Sequence, residues 1–252
     1  MNIAVLVKQV PDTFSERTLG DDHRLDRESA DAVIDEIDSR GVEVALQLVE
    51  ASGGEVTVVT MGPDRATEAL RKALAMGADK AVHVVDDALQ GADALTTSAV
   101  LAAALGRESF DLVIAGNETT DGRTGSVPSM LAERLGLPAV TQVQKVSVQG
   151  GVVRAERADE SGYSEVTAPL PALISVTEKV TEPRYPNFKG LMKAKKKPIE
   201  TVTAADLGVT PSPANVVLDA IPAPPRAAGQ KVNDDGAGGQ QIADFLAAAR
   251  LI

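Results

Sequence analysis

The sequence predicts an α/β fold built on a doubly wound, mostly parallel sheet with crossover helices. Short runs rich in valine and isoleucine alternate with stretches of helical periodicity, the pattern of parallel strands joined by helices. The runs are almost continuously apolar, which marks strands covered on both faces. A chain of 252 residues, 44% hydrophobic, has enough apolar material for a sizeable core, and the elements read as one α/β domain.

Strands are expected at residues 3–7, 55–61, 80–85 and 112–115, each a Val/Ile-rich run of strand length. Helices fit between them at 41–51, 64–76 and 93–105, and a fourth follows at 125–135. Residues 141–148 and 152–157, joined by Gln149-Gly150-Gly151, read as a hairpin, and 172–176 as another strand. The nucleotide-binding α/β domain is thus expected over 1–198, including a loop at about 176–198. Pro211, Pro213, Pro222, Pro224 and Pro225 then crowd a segment that composition reads as extended, and a helix is expected from 240 to 250. Residues 199–252 are either a disordered tail or an arm on a partner subunit, since Val216, Val217, Leu218, Ile221, Ile242, Phe245 and Leu246 call for a surface to cover.

Asp and Glu outnumber Lys and Arg by 36 to 25, a net charge of −11, which argues against nucleic acid or an anionic membrane surface as partner. With no cysteine and two histidines, His23 and His83, far apart, neither a metal cluster nor a Cys nucleophile is expected. The first strand starts with no charged, apolar or Arg-rich leader ahead of it, and no run approaches a membrane span; a soluble cytoplasmic protein is the expectation.

No GxGxxG follows the first strand, and no GxxxxGK[ST] or GxSxG occurs. One loop has the residues to hold a phosphate: Gly116, Asn117, Glu118, Thr119, Thr120, Asp121, Gly122, Arg123, Thr124 and Gly125, between the fourth strand and the next helix. Loops at the carboxyl ends of parallel strands hold ligands in such sheets, and a helix N-terminus offers unpaired N–H groups. Gly122 and Gly125 permit close backbone approach, Thr120 and Thr124 carry hydroxyls, and Arg123 adds charge. An ordinary turn with Asp121 or Thr124 as helix cap fits the same residues.

The other distinctive stretch is 182–200, EPRYPNFKGLMKAKKKPIE. Pro183 and Pro186 hold the residues before them out of the helical region, leaving 184–187 extended with Phe188 at the tip, before the chain runs into a basic helical turn. Phe188 is one of four phenylalanines in a chain that is 2% aromatic. Either it tucks into the core and Lys193, Lys195, Lys196 and Lys197 form a solvated face, or it is an apolar anchor for another protein beside a cationic run.

Glu182-Pro183-Arg184-Tyr185, an apolar tip and Met192-Lys193-Ala194-Lys195-Lys196-Lys197 match, in order and spacing, the recognition loop of the electron transfer flavoprotein beta subunit, and the chain resembles that family, as a bacterial member. The tip is usually Leu in the family and Phe188 here; Pro186, Asn187, Lys189 and Gly190 also differ. The resemblance extends through residues 223–229 and the final helix. It implies a heterodimer with an alpha-type subunit holding most of the FAD site, and a recognition surface of Tyr185, Phe188, Leu191, Met192, Lys193 and Lys195. It implies AMP, or a second FAD, bound by the Gly116–Gly125 loop with Val7, Lys8, Asp35, Asp38 and Met61, while Thr13 and Phe14 approach the flavin. Several relatives carry Asn in place of Asp35, so Arg123 or Lys8 is expected to offset that charge near a phosphate.

The function so implied is electron relay without acid, base or nucleophile: electrons pass from acyl-CoA dehydrogenases, through the FAD of the complex, to a membrane quinone oxidoreductase. The alternatives are a stand-alone adenine-nucleotide-binding protein or ATP hydrolase using Asp121 or Glu118, and an adaptor acting through its tail.

Overall fold

The computed structural model describes every residue except Pro222, Ala227 and Gln230, so the extended backbone expected at Pro222 and the family resemblance at Ala227 fall outside the described residues. Its elements follow as β1 (Asn2–Leu6), β2 (Gln9–Pro11), β3 (Ala32–Ile34), α1 (Glu36–Ser52), β4 (Glu55–Met61), α2 (Thr67–Met76), β5 (Lys80–Val84), α3 (Ala94–Leu105), β6 (Leu112–Gly116), α4 (Val127–Leu135), β7 (Ala139–Gln149), β8 (Val152–Asp159), β9 (Gly162–Pro169), β10 (Ala172–Val176), α5 (Phe188–Ala194), β11 (Ile199–Val202) and α6 (Gly238–Ala248). The main sheet runs β11-β5-β4-β1-β6-β10-β7-β8-β9, parallel from β11 to β7 and antiparallel through β8 and β9. The α/β, mostly parallel expectation holds.

Successive residues of a strand face opposite sides. In β1, Ile3 and Val5 join one core with Val42, Ala45, Leu70 and Leu74 of α1 and α2, whereas Ala4 and Leu6 join another with Val100, Leu101 and Leu131 of α3 and α4. This two-sided burial is why the strands read as unbroken apolar runs. The chain first winds from β1 through β4 to β5, then returns to β6 on the other side of β1. The carboxyl ends of β1 and β6 therefore flank the point where the winding reverses, the place where such sheets leave a crevice.

Helix α1 begins at Glu36, not at Gly41. Asp35 caps it, accepting from the Ile37 N–H at 2.9 Å, and Gly41 is an interior position where the helix lies close on the sheet: a Cβ there would stand 3.4 Å from Ile114 Cγ2. The β2–β3 ribbon, the outer strand β9 and β11, which pairs with β5, were not expected from the sequence, and the basic helical turn expected after the Pro-rich stretch is α5.

The chain divides into Met1–Leu218 and Asp219–Ile252. Residues 199–218, assigned from composition to the arm, thus belong to the first unit, because β11 completes the parallel edge of its sheet. In the second unit, α6 carries Ile242 and Phe245, both exposed. Among the described residues, no helix is long and apolar enough to cross a membrane.

Candidate functional site

The loop after β6 is held from below by two carboxylates of α1. Asp35 is fully buried; one oxygen caps α1 and the other accepts from Thr120 N–H at 2.7 Å and Thr120 Oγ1 at 2.9 Å. Neither Lys8 nor Arg123 bonds Asp35 directly: the N–H and O–H donors of Ile37 and Thr120 satisfy it, and Lys8 Nζ turns to Asp121. Asp38 accepts from the Lys8 N–H at 2.8 Å, and burial, with the Asp35 charge beside it, pushes its carboxyl well above the usual carboxylate range. Gly116 is required at this point, since a Cβ would lie 2.6 Å from Asp38 Oδ1.

Asp121 is the electrostatic centre of the loop. Its side chain is 1% exposed, yet Lys8 Nζ donates to Oδ1 at 2.9 Å, Arg27 Nη2 to Oδ2 at 2.6 Å, and Thr119 Oγ1 to Oδ1 at 2.7 Å. Burial alone would push its carboxyl up; Lys8, Thr119 and Arg27 outweigh that and hold it well below the usual range. Asp121 is therefore not the helix cap. Helix α4 starts at Val127 after Ser126, with no side-chain cap bond and with Pro at its first turn, so its leading N–H groups stay open. Gly125 at φ 67° and Arg123 at φ 47° turn the backbone beneath it, and Asn117 Oδ1 is buried without a partner.

Val7, Lys8, Asp35, Asp38, Gly116, Asn117, Thr120, Asp121, Gly122, Arg123, Thr124 and Gly125 thus gather at the switch point, in contact through Lys8, Asp35 and Asp121. Met61 ends β4, on the opposite side of β1 from β6. Thr13 and Phe14 lie in the long connection from β2 to β3, and Phe14 is 98% exposed. His83 is buried between Thr67 Oγ1 and the Gly62 carbonyl, a structural role, and burial pushes its pKa down. Arg27 escaped the sequence reading, since nothing local separates it from any other surface arginine.

The second site is the stretch after β10. Thr181 to Arg184 is strapped along α1. Arg40 Nη1 donates to the Thr181 carbonyl at 2.6 Å and to Glu182 at 2.8 Å, and Arg184 forks onto Glu43 at 2.7 Å and Glu50 at 2.5 Å. Burial pushes Glu43 up, but its bonds from Arg184 and Gln47 prevail and keep it below its ordinary value.

The tip is a helix rather than an open loop. Asn187 caps α5 through Gly190 N–H at 2.8 Å, and Phe188 is its first residue, 79% exposed. Tyr185, Leu191 and Met192 are exposed beside it. The burial alternative for Phe188 is excluded, and so is a wholly solvated lysine face. Lys197 Nζ turns inward to the carbonyls of Leu74, Gly77 and Ala78 at the C-terminal end of α2, where a cation is favoured. Desolvation there pushes its pKa down. Arg71 of α2 returns the contact, donating to Ala194 O at 2.6 Å and Lys197 O at 2.9 Å. Lys193 and Lys195 remain exposed.

Gly190 sets the height of α5 over α2, since a Cβ would stand 2.6 Å from the Ala75 carbonyl oxygen. Helix propensity favours alanine by about 1 kcal/mol, while overpacking against fixed backbone costs roughly 1–3 kcal/mol. Gly190→Ala is therefore expected to lose about 1 kcal/mol in thermal denaturation, with faster amide exchange confined to α5.

Residues 23–207 match the family model described as the electron transfer flavoprotein domain. The chain is 53% identical to the electron transfer flavoprotein subunit beta of Mycobacterium tuberculosis, and equally to that of Mycobacterium bovis, over all of this chain and 99% of theirs. It is 40% identical to the subunit of that name from Thermoanaerobacterium thermosaccharolyticum, over 90% of each chain. These matches show that the chain belongs to the family of electron transfer flavoprotein beta subunits.

Proposed function

We propose that this chain is one half of a heterodimeric electron carrier, in which an alpha-type subunit holds most of the FAD and this chain closes over it. The Gly116–Gly125 loop binds an adenine nucleotide, AMP or a second FAD, as a structural ligand. Phe188, flanked by Tyr185, Leu191 and Met192, docks on acyl-CoA dehydrogenases, and a membrane quinone oxidoreductase receives the electrons. FAD supplies the redox chemistry. The residues of this chain bind, orient and dock, and none acts as acid, base or nucleophile.

The observation that carries the docking role is the exposure of Phe188 on a helix fixed to the body at both ends. A mobile loop would lose ordering entropy on docking; a pre-positioned one loses less. Lys193 and Lys195 steer an acidic partner despite the negative total charge. For the nucleotide, the open start of α4, the glycines at 116 and 125, and the unpartnered Asn117 oxygen fit a phosphate and its sugar. A hydrolase working through Asp121 would need it free, whereas both of its oxygens are committed to Lys8, Arg27 and Thr119.

Co-expression with an alpha-type subunit tests the reading. The expected product is a yellow heterodimer whose released nucleotides, identified by mass spectrometry, include FAD and a second adenine nucleotide. A colourless chain that hydrolyses ATP unaided would overturn it.

A further inference from the structure

Between β2 and β3 the chain makes an excursion over residues 12–31, longer than the handful of residues that usually joins two strands. It is tied to the loop after β6 at two points. Arg17 Nη1 donates to the Thr120 carbonyl at 2.7 Å, and Arg27 Nη2 to Asp121 Oδ2 at 2.6 Å. Arg27 is itself held in place, its carbonyl accepting from Arg65 Nη1 at 2.8 Å.

Two cations share one acceptor at this junction. Lys8 and Arg27 bring two positive charges to the single carboxylate of Asp121. Asp121 is almost fully covered, whereas the side chains of Lys8 and Arg27 are 37% and 38% exposed. A guanidinium has five N–H donors and an ammonium three, so both cations keep donors for a further acceptor after Asp121 has oriented them. The acceptor best suited to two adjacent cations is a phosphate.

We infer that Arg27 is the second cation of the phosphate site: residues 12–31 close over the loop after β6, and Arg27 grips the ligand phosphate together with Lys8 while Asp121 orients both. This rests on the reading of that loop as a nucleotide site and extends it to a residue outside the loop. It also gives the nucleotide a way to act on the same excursion that carries Phe14, since a phosphate bridging Lys8 and Arg27 fastens residues 12–31 to the sheet.

The test uses the co-expressed heterodimer, stripped of bound nucleotide and titrated with AMP. In the wild type, AMP is expected to slow tryptic cleavage after Arg17 and Arg24. Arg27→Gln is expected to weaken AMP binding by roughly tenfold to a hundredfold, the worth of one charged hydrogen bond, and to abolish that protection. Arg27→Lys, which keeps the charge, should recover part of the affinity and guards against a loss due only to misfolding. If the wild type binds AMP and Arg27→Gln binds and is protected equally well, the inference falls while the nucleotide site stands. A wild type that binds no AMP removes both.

Discussion

Asp35→Ala is expected to lower the stability of the chain by about 3 kcal/mol, the sum of a lost helix cap, about 1 kcal/mol, and of buried donors left without an acceptor, roughly 1–3 kcal/mol. Asp35 is fully buried and receives three donors, from Ile37 and twice from Thr120. Alanine removes the acceptor for all three at once, freeing the start of α1 and unfastening the loop after β6 in a single step. Asn preserves the shape and can still cap α1 through its carbonyl oxygen, but its NH2 cannot accept from the Thr120 N–H, so Asp35→Asn should fall between the two, losing roughly 1–2 kcal/mol. Removing the Asp35 charge also relieves the repulsion that helps to raise Asp38, whose carboxyl should then titrate at lower pH. Urea denaturation of the three proteins measures the first effect. A loss below about 0.5 kcal/mol for Asp35→Ala, the range of ordinary surface substitutions, would show that water replaces the carboxylate at no cost.

Phe188→Ala is expected to act on docking alone. Burying a phenylalanine side chain in a partner's apolar pocket is worth about 1.5–3 kcal/mol, so the variant should need roughly ten to a hundred times more protein to reach the same rate of electron acceptance from an acyl-CoA dehydrogenase. Because Phe188 is 79% exposed, FAD content and thermal stability should not change. Phe188→Leu, the residue usual in the family, should retain most of the activity. Loss of flavin from Phe188→Ala, or unchanged kinetics, would place the docking surface elsewhere.

Much of the fold was legible because burial on both faces leaves a strong trace. The runs at 55–61, 80–85 and 112–115 have little polar content, and each proved to be a central parallel strand. Strand β9 left a weaker trace: most of its residues face solvent, and its Tyr163 and Glu165 resemble those of a loop. The start of α1 was missed for a different reason. Gly41 looks like a boundary in sequence, but in space it is where the helix comes nearest the sheet.

The loop after β6 could be located from its glycines and threonines, yet not its wiring. Asp121 meets Lys8 and Arg27 across more than ninety intervening residues, and no local pattern announces such a pairing. The same holds for Lys197. In sequence it ends a run of like charges, whereas its distinction from Lys193 and Lys195 comes from α2 ending beside it.

Positions 188, 189, 191 and 192 face outward, while Arg184, Gly190 and Lys197 fasten the segment to its two neighbouring helices. If this segment docks redox partners as proposed, sequence drift can retune that choice one outward side chain at a time, without disturbing the mount. Exchanges at the three fixing positions would instead misalign every tip, whatever residue it bears. Swapping leucine for phenylalanine at 188 is a change of bit in an unchanged chuck.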